Sequence, residues 1–391
     1  MLCTYSLDSV IFMKDSDISK EGSSFIQILP AVPAGISPEL EPPRMDQPFV
    51  IGAVDSGMGK IPRVSPILKW EDRLGTIKAR WGINRMNYMV DPGLYAIGEP
   101  LPQSPVFVTA NYKMSFDCLR EALGSLNSWI LVLDTKGINV WCAAGKGTFG
   151  TEELVRRIQA TGLEKVVEHR ELILPQLGAP GVAASAVKKQ SKFRVVYGPI
   201  QAEDIPAFMN AGKKATPEMR RKTFTFGERA VLIPIELIAA LKPLAGVLVV
   251  LFILGGLIGS GSFWSGAWNH GFPAVLATLL SVGMGAVAHP LLLPYVPGRA
   301  FALKGLILGA AGAFLLFFGA GGFGGISEGE KISLTLIILA LSAFLAMNFT
   351  GASTYTSLSG VKKEMRWAVP LEIAGGGAGV LLWLGALVLK F

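Results

Sequence analysis

The most constraining feature of the sequence is a series of long apolar segments in its C-terminal part. From about residue 231 onward the chain is dominated by Leu, Ala, Gly, Ile and Phe, whereas the first 230 residues carry most of the charge. A helix needs about 20 apolar residues to cross roughly 30 Å of hydrocarbon. Such segments lie at about 231–260, 272–296, 301–320, 332–349 and 368–389. We therefore predict an all-α transmembrane domain of five helices within residues 230–391, with residues 230–241 forming an interfacial helix or the start of a kinked first span.

Basic residues cluster at alternate ends of these segments. The first cluster precedes the first span, the second follows the second span, and the third precedes the fifth: Lys213, Lys214, Arg220, Arg221, Lys222 and Arg229; Arg299 and Lys304; Lys362, Lys363 and Arg366. Because Lys and Arg near span ends stay on the cytoplasmic side, we predict a multi-pass protein of the cytoplasmic membrane, with a cytoplasmic N-terminal domain and the C-terminus outside. Met1–Phe12 lacks the features of a signal peptide.

The formal net charge of +7 is mostly this juxtamembrane signal. No basic face interleaved with aromatic residues accompanies it, so nucleic acid is not an expected partner. Membrane lipid is the expected surrounding of the C-terminal half.

The N-terminal half divides by composition. Residues 1–48 are polar and irregular, and either Met1 or Met45 can be the true start. We predict a cytoplasmic domain over residues 49–212, with a meandering lead-in up to Pro105, and a basic linker over residues 213–229. Strands at Val106–Ala110, Trp129–Asp134, "ELIL" or "KVVEH", and Phe193–Gly198 alternate with helices that follow Ser115, Thr151 and Gly181. This alternation predicts a doubly wound, Rossmann-like α/β domain with a parallel sheet.

Ligands of such domains bind beyond the carboxyl ends of the strands. The loops expected there are "TANYK", "DTKG", "LPQLGAPG" and "YGPI". They supply six candidate contacts for a bound cofactor: Thr109, Asn111, Thr135, Gly178, Gly181 and Gly198.

The segment "NVWCAAGK" (residues 139–146) places Trp141 and Cys142 ahead of a glycine-rich turn. Residue chemistry leaves three interpretations open. Both side chains can be packed in the core. Alternatively, "GKGTFG" can be a dinucleotide-binding G-x-G-x-x-G turn with Glu168 on the ribose, if a strand precedes it. Finally, Cys142 can be a soft ligand or nucleophile, with Lys146 on the same helical face favouring the thiolate.

The chain has three cysteines, Cys3, Cys118 and Cys142, and no CxxC pair. An iron–sulfur cluster or a zinc site is therefore not expected from its cysteines alone. Cys118, on the helix after the first parallel strand, is expected to be buried. His169, His270 and His289 show no metal-ligand spacing and are expected to be structural.

"NVWCAAGK" resembles the cap motif Asn-(Val/Ile)-Trp-Cys-Ala-(Ala/Ser)-Gly-Lys of the membrane-bound corrinoid protein of bacterial and archaeal mercury methylation. The stretches "SPVFVTANYKMSFDCLREAL" and "WILVLDTKGINVWCAAGKGTFGTEELVRRI" are similar to the corrinoid domain of the large subunit of the corrinoid iron–sulfur protein. The likeness extends from about Phe49 through the five apolar segments and includes Met347–Met365. The iron–sulfur domain of the acetyl-CoA pathway protein has no counterpart in this sequence.

The resemblance implies that Cys142 is the catalytic residue and the lower axial ligand to corrinoid cobalt, where a thiolate favours transfer of a methyl carbanion or radical to Hg(II). It implies a corrinoid-binding cap around that residue: Asn139, Val140, Trp141, Cys142, Ala143, Ala144, Gly145, Lys146, Gly147 and Thr148. Gly145, Gly147 and Gly150 are then expected to let the backbone approach the macrocycle.

The implied function is a corrinoid-dependent methyltransferase that passes a methyl group from cobalt to inorganic Hg(II), forming methylmercury. The implied partners are a ferredoxin-like protein with two 4Fe–4S clusters, and methyltetrahydrofolate as methyl donor through another methyltransferase. Two alternatives remain: a membrane-anchored nucleotide-binding module, and a general corrinoid methyl carrier that is not specific for mercury.

Overall fold

The computed structural model of the protein describes residues 41–57, 59–259, 261–319, 326–353 and 358–389. Within them the chain forms two compact units, of which the first ends at Thr223 and the second begins at Phe224. Residues 1–40 of the predicted N-terminal extension lie outside the described residues. Residues 354–357 of the segment Met347–Met365 do so as well.

The first unit is built on a seven-stranded sheet with the order β1-β2-β3-β5-β4-β6-β7. The strands are β1 (Val50–Ser56), β2 (Gly59–Val64), β3 (Gly93–Ile97), β4 (Val106–Ala110), β5 (Ser128–Leu133), β6 (Glu171–Leu174) and β7 (Arg194–Tyr197). Strands β5, β4, β6 and β7 run parallel, whereas β3 is antiparallel to β5, and β1 and β2 form an antiparallel pair. The predicted α/β class is confirmed, but the sheet is mixed and not wholly parallel.

Helices cover both faces of the sheet. They are α1 (Trp70–Arg80), α2 (Lys113–Ala122), α3 (Val140–Lys146), α4 (Thr151–Ala160), α5 (Leu163–Val166), α6 (Ala184–Ser191) and α7 (Ile205–Asn210). Because side chains of a strand alternate between its faces, β4 serves two separate cores. Val108 packs in one core with residues of α3, α4 and α6. Phe107 packs in the other with residues of α2 and α7.

The expected lead-in before Pro105 is a folded part of the domain. It supplies three strands and α1, and Phe49 places its ring 5.1 Å from that of Phe116 on α2. Its turn-forming Gly and Pro residues conceal strands that are specified by packing on the rest of the sheet. The sequence analysis did not predict these three strands and this helix.

A buried ionic cluster holds α1 against α2. The Asp72 carboxylate lies 2.7 Å from Lys113 Nζ and 2.8 Å from Arg120 Nη2. Asp117, on α2 itself, accepts from both cations at 2.6 and 2.8 Å. Arg120 is fully buried, so each charge in the cluster depends on the others for its stability.

Two predicted helix caps were misplaced. Helix α2 begins at Lys113 with Tyr112 as its N-cap, so Ser115 lies inside the helix. Helix α4 includes Thr151 and is preceded by Gly150 as N-cap. The Thr151 hydroxyl instead accepts from the Ala183 N–H at 2.9 Å and thereby ties α4 to the start of α6.

The second unit contains five helices that are long and apolar enough to cross a membrane, at Phe226–Ile258, Phe263–Leu292, Phe301–Phe318, Glu328–Gly351 and Ser359–Leu389. Their α-helical parts are α8 (Phe226–Ala230), α9 (Ile233–Ile258), α10 (Phe263–Gly266), α11 (Phe272–Val282), α12 (His289–Leu292), α13 (Phe301–Phe318), α14 (Glu328–Asn348) and α15 (Leu358–Leu389). The five predicted segments thus correspond to five helices.

The second and fifth helices begin about nine residues before the predicted segments, at Phe263 and Ser359. The first helix continues through Pro243, so residues 230–241 form the start of the first span, which is one of the two predicted alternatives. The early part of the fifth helix contains Lys362, Lys363 and Arg366, so a search for uninterrupted apolar residues places its start too late.

Candidate functional site

A cavity of about 720 Å³ lies at the carboxyl ends of the parallel strands. Its walls come from β4, from the residues that follow β6 and β7, and from the start of α3. These parts of the wall include Val108 and Thr109 of β4, Leu174 at the end of β6 and Pro175 after it, Gly198 and Pro199 after β7, and Asn139, Val140 and Trp141 at the start of α3. The predicted ligand-binding edge of the sheet therefore contains a cavity of the size typical of small-molecule sites.

The strand order explains why the cavity forms at this position. The chain passes from β4 to β5 on one side and then to β6 on the other side of β4, which makes the β4–β6 seam the point where the strand order reverses. Strands β4 and β5 are in register from Val106 to Ala110, whereas β4 and β6 share the register pair Phe107–Ile173. The cavity is lined by residues of both strands from that pair onward.

The segment "NVWCAAGK" forms the short helix α3 beside the cavity. Asn139 is its N-cap, and its side-chain oxygen accepts from the Cys142 N–H at 3.0 Å. The helix ends at Gly147, which adopts φ of 82°, a conformation that favours glycine. Because Val140, Ala143 and Ala144 are buried in the core, the opposite side of the helix, with Trp141 and Cys142, is half-buried.

Cys142 occupies the third position of α3. A cysteine binds a metal as a thiolate, so a ligand role of Cys142 belongs to the reduced protein.

Asn111 braces the loop that leads into α3. Its Oδ1 accepts three hydrogen bonds: from Thr135 N at 3.0 Å, Thr135 Oγ1 at 2.8 Å and Gly137 N at 3.0 Å. Asn111 and Thr135 are 2% and 0% exposed and are absent from the cavity wall. The structure thus places both predicted contacts inside the loop that positions α3.

Asp134 lies in the same loop. Burial raises the pKa of its carboxyl, but hydrogen bonds and charge from Lys136 outweigh burial, and the net pKa is below its ordinary value. The Asp134 N–H donates to Glu153 Oε1 of α4 at 2.9 Å. The loop is consequently held from three elements, β4, α4 and its own turn.

The predicted glycines divide into two groups by their surroundings. A methyl group added to Gly145 or Gly147 would meet no atom within 4 Å. A methyl group at Gly181 would lie 2.1 Å from the Phe149 carbonyl oxygen, and one at Gly178 2.5 Å from the Phe149 ring. Gly145 and Gly147 thus present open backbone, whereas Gly178 and Gly181 are required for packing.

The remaining predicted residues are placed as follows. Thr109, Asn139, Val140, Trp141 and Gly198 line the cavity. Lys146 is exposed near the end of α3, and Thr148 is half-buried with its hydroxyl 3.5 Å from the Ala143 carbonyl oxygen. Gly150 is buried against the Gly147 carbonyl oxygen, 2.6 Å from the position of an added methyl group. The turn after α3 is therefore open at its beginning and packed at its end.

Sequence reasoning missed the wall formed by α2. Cys118 is exposed and lines the cavity with Ser115 and Leu119, so the expectation that Cys118 is buried was wrong. Desolvation within this wall raises the pKa of the Cys118 thiol. A signal existed, because a helix that follows the central strand β4 at a strand-order reversal must flank the cavity.

The dinucleotide interpretation required a strand before "GKGTFG". The preceding residues instead form α3, and Glu168 accepts from Gln103 Nε2 at 2.5 Å. The strand–turn–helix arrangement that aims a helix N-terminus at a pyrophosphate is therefore not formed here. Among the described residues, no group of three or more His, Cys, Asp or Glu side chains could hold a metal ion.

The sequence of this first unit is similar to known proteins. Residues 64–209 match the family model of the CO dehydrogenase/acetyl-CoA synthase delta subunit. The matched part contains β3 to β7, the cavity and α3, and it ends before the first helix that is long and apolar enough to cross a membrane.

Individual relatives agree with this match. The chain is 32% identical over 139 residues to the acetyl-CoA decarbonylase/synthase complex subunit gamma of Archaeoglobus fulgidus, covering 34% of this chain and 29% of the relative. It is 34% identical over 122 residues to the Methanopyrus kandleri subunit gamma, covering 31% and 26%. It is 28% identical over 148 residues to the corrinoid/iron-sulfur protein large subunit of Moorella thermoacetica, covering 37% and 31%. The chain thus spans less than a third of the length of these relatives.

Proposed function

We propose that the first unit binds a corrinoid and that the protein is a corrinoid-dependent methyltransferase. The observation that carries this proposal is the position of α3, which brings the "NVWCAAGK" segment to the edge of a 720 Å³ cavity at the strand-order reversal. The family match over residues 64–209 includes the same residues, and a corrinoid/iron-sulfur protein large subunit is among the similar proteins. Cavity, motif and relatives therefore favour one function.

The residues present fit this cofactor. Cys142 lies on the half-buried side of α3 and offers a soft donor. Gly145 and Gly147 leave the end of the helix open to a flat ring, since nothing lies within 4 Å of either position. Thr109, Gly198 and Pro199 expose small groups and main chain in the cavity, where part of the cofactor would be held.

A bound corrinoid supplies a cobalt–carbon bond from which a methyl group can be passed on. The protein supplies the position and the electronic character of the metal's ligand. Asn139 fixes the first turn of α3, and Asn111 fixes the preceding loop, so the Cys142 sulfur is presented from a braced backbone. A thiolate donates more electron density than an imidazole, which suits transfer of a methyl group to an electrophile.

We propose inorganic Hg(II) as the methyl acceptor, with methylmercury as the product. This step rests on the likeness of "NVWCAAGK" to the mercury-methylation cap motif and on the chemistry of Hg(II), an electrophile that takes a methyl group as a carbanion. A ferredoxin-like protein with two 4Fe–4S clusters would supply electrons, and methyltetrahydrofolate the methyl group through another methyltransferase. The first unit would face the cytoplasm, where thiols are kept reduced.

Corrinoid binding is tested by reconstituting the reduced, purified full-length protein with hydroxocobalamin. The expected result is a bound corrinoid absorption spectrum that changes in Cys142→Ala, because the sulfur–cobalt bond is lost. Cys118→Ala is the matched control, since that thiol lies across the cavity and should leave the spectrum unchanged. A spectrum that is identical in wild type and Cys142→Ala would contradict ligation by Cys142.

The comparisons favour a second candidate, a general methyl carrier, because the relatives named above are components of acetyl-CoA decarbonylase/synthase complexes. Methylmercury formation from Hg(II) by the reconstituted protein, with and without the ferredoxin partner, separates the two. Formation that depends on Cys142 and on the partner supports the mercury function. Methyl transfer to a thiol acceptor without methylmercury would instead support the general carrier.

A further inference from the structure

The second unit contains a crevice that the proposed methyl transfer does not use. It has a volume of about 180 Å³ and lies between α13, α14 and α15. Small and apolar side chains line it almost throughout, among them Ala302, Leu306, Ala340, Ala343 and Gly375. We call it the Glu372 crevice, after the acidic residue in its wall.

Glu372 is an acidic residue in a crevice whose other lining residues are small or apolar. Both oxygens of its carboxylate are buried and have no hydrogen-bond partner within the described part of the chain. Glu364, two turns earlier on the same helix, differs in this respect, because its Oε1 accepts from the Ala302 N–H at 2.6 Å. A carboxylate without partners in apolar surroundings is costly unless it takes up a proton or a cation pairs with it.

The lining of the crevice indicates which kind of cation would pair with Glu372. An ammonium group has three N–H donors and can satisfy both carboxylate oxygens, whereas a proton satisfies one. The apolar wall accommodates a hydrocarbon body, and the Trp367 indole in the same wall provides a surface that attracts cations. A cavity of about 150 Å³ holds one benzene ring, so this crevice is large enough for a ring with a short amine.

We propose that the Glu372 crevice binds a small primary organic ammonium ion, with the ammonium group on Glu372 and the apolar body among α13, α14 and α15. This inference is independent of the corrinoid function, since it concerns the second unit alone. Benzylammonium is a suitable probe because its size and charge match the crevice.

The test uses the full-length protein in lipid nanodiscs. A hydrophobic carbodiimide is expected to label Glu372, as detected by peptide mass spectrometry, and benzylammonium is expected to prevent the labelling in a saturable manner. Benzyl alcohol has the same apolar body without the charge and should not protect. Equal protection by both compounds, or by neither, would overturn the proposal.

Two variants, each with a matched control variant, provide a direct binding measurement by titration calorimetry. Glu372→Gln keeps the shape of the side chain and should abolish binding of benzylammonium, whereas Glu328→Gln, at a side chain that is 79% exposed, should not. Gly375→Leu fills the crevice and should weaken binding roughly tenfold or more, a change of about 1.4 kcal/mol. Gly377→Leu is its control, because nothing lies within 4 Å of Gly377. Binding that persists in Glu372→Gln would contradict the assignment.

Discussion

Two asparagines, Asn139 and Asn111, hold helix α3 in its position. Asn139 accepts from the Cys142 N–H, and Asn111 accepts three hydrogen bonds from the loop before α3. Both side chains act on backbone groups and hold the segment that carries Cys142. Their contribution to any chemistry at Cys142 is therefore positional.

Replacing Asn139 by Ala should loosen the first turn of α3. Loss of an N-cap costs about 1 kcal/mol, and the Cys142 N–H loses its acceptor. Hydrogen exchange of the peptide that spans residues 139–147 should become faster. Asn139→Asp retains an acceptor and should restore slow exchange, whereas equally fast exchange in both variants would argue against the cap.

Replacing Asn111 by Ala should have a larger effect. The Thr135 and Gly137 N–H groups lose their acceptor, and each unsatisfied group costs about 1–3 kcal/mol. The Thr135 hydroxyl keeps the Ile138 carbonyl oxygen as an acceptor at 2.6 Å. We expect fast exchange over residues 134–138 and weaker corrinoid binding, measured by titration of the absorption spectrum. Asn87→Ala, at an exposed position, is the control. Unchanged hydrogen exchange over residues 134–138 would show that the loop keeps its structure without the Asn111 side chain.

At the level of elements, the strands and helices of the matched region were predictable because each has a strong local pattern. Strand β4 has the predicted bounds, Val106–Ala110, and consists of β-branched and apolar residues that are buried on both faces. Strands β1, β2 and β3 were not predictable, because each contains a glycine, and because β3 pairs with segments that are distant in sequence. The α2 wall of the cavity was not predictable either, because it depends on how α2 packs beside the sheet and not on a local sequence pattern.

The glycines around α3 provide a test of element packing. Gly181→Ala should destabilise the first unit, since the new methyl group would lie 2.1 Å from a backbone oxygen. Gly145→Ala should leave folding intact, because alanine favours helices by about 0.5–1 kcal/mol relative to glycine, but should weaken corrinoid binding by crowding the ring. Thermal unfolding and cobalamin titration measure the two effects. A Gly145→Ala protein with normal affinity would show that the ring does not approach this residue.

At the scale of the whole molecule, the first unit depends on charges buried between α1 and α2. Burial would raise the pKa of Asp72, but hydrogen bonds and charges from Lys113 and Arg120 outweigh it and hold the pKa below its ordinary value of 3.8. Because the folded pKa is the lower one, the stabilisation is present above pH 3.8 and is lost as pH falls through the folded pKa.

Asp72→Asn should therefore destabilise the first unit at neutral pH by about 3 kcal/mol or more, since it leaves buried cations underpaired. It should also reduce the loss of stability below pH 4. Hydrogen exchange of first-unit peptides in the full-length protein measures both. Glu99→Gln removes an exposed partner of Arg63 and should change stability by less than about 0.5 kcal/mol. An acid response identical to wild type in Asp72→Asn would assign the acid sensitivity to other groups.

The β4–β6 seam has a consequence for the lifetime of the protein in the cell. The register pair Phe107–Ile173 joins two halves of the sheet, and the cavity lies at the ends of both strands. A ligand lodged in the seam would bridge these halves and add its binding free energy to that of the fold. Cells that lack the ligand would then degrade the protein faster, since proteases act on opened forms. The abundance of the protein would thus follow the supply of its cofactor.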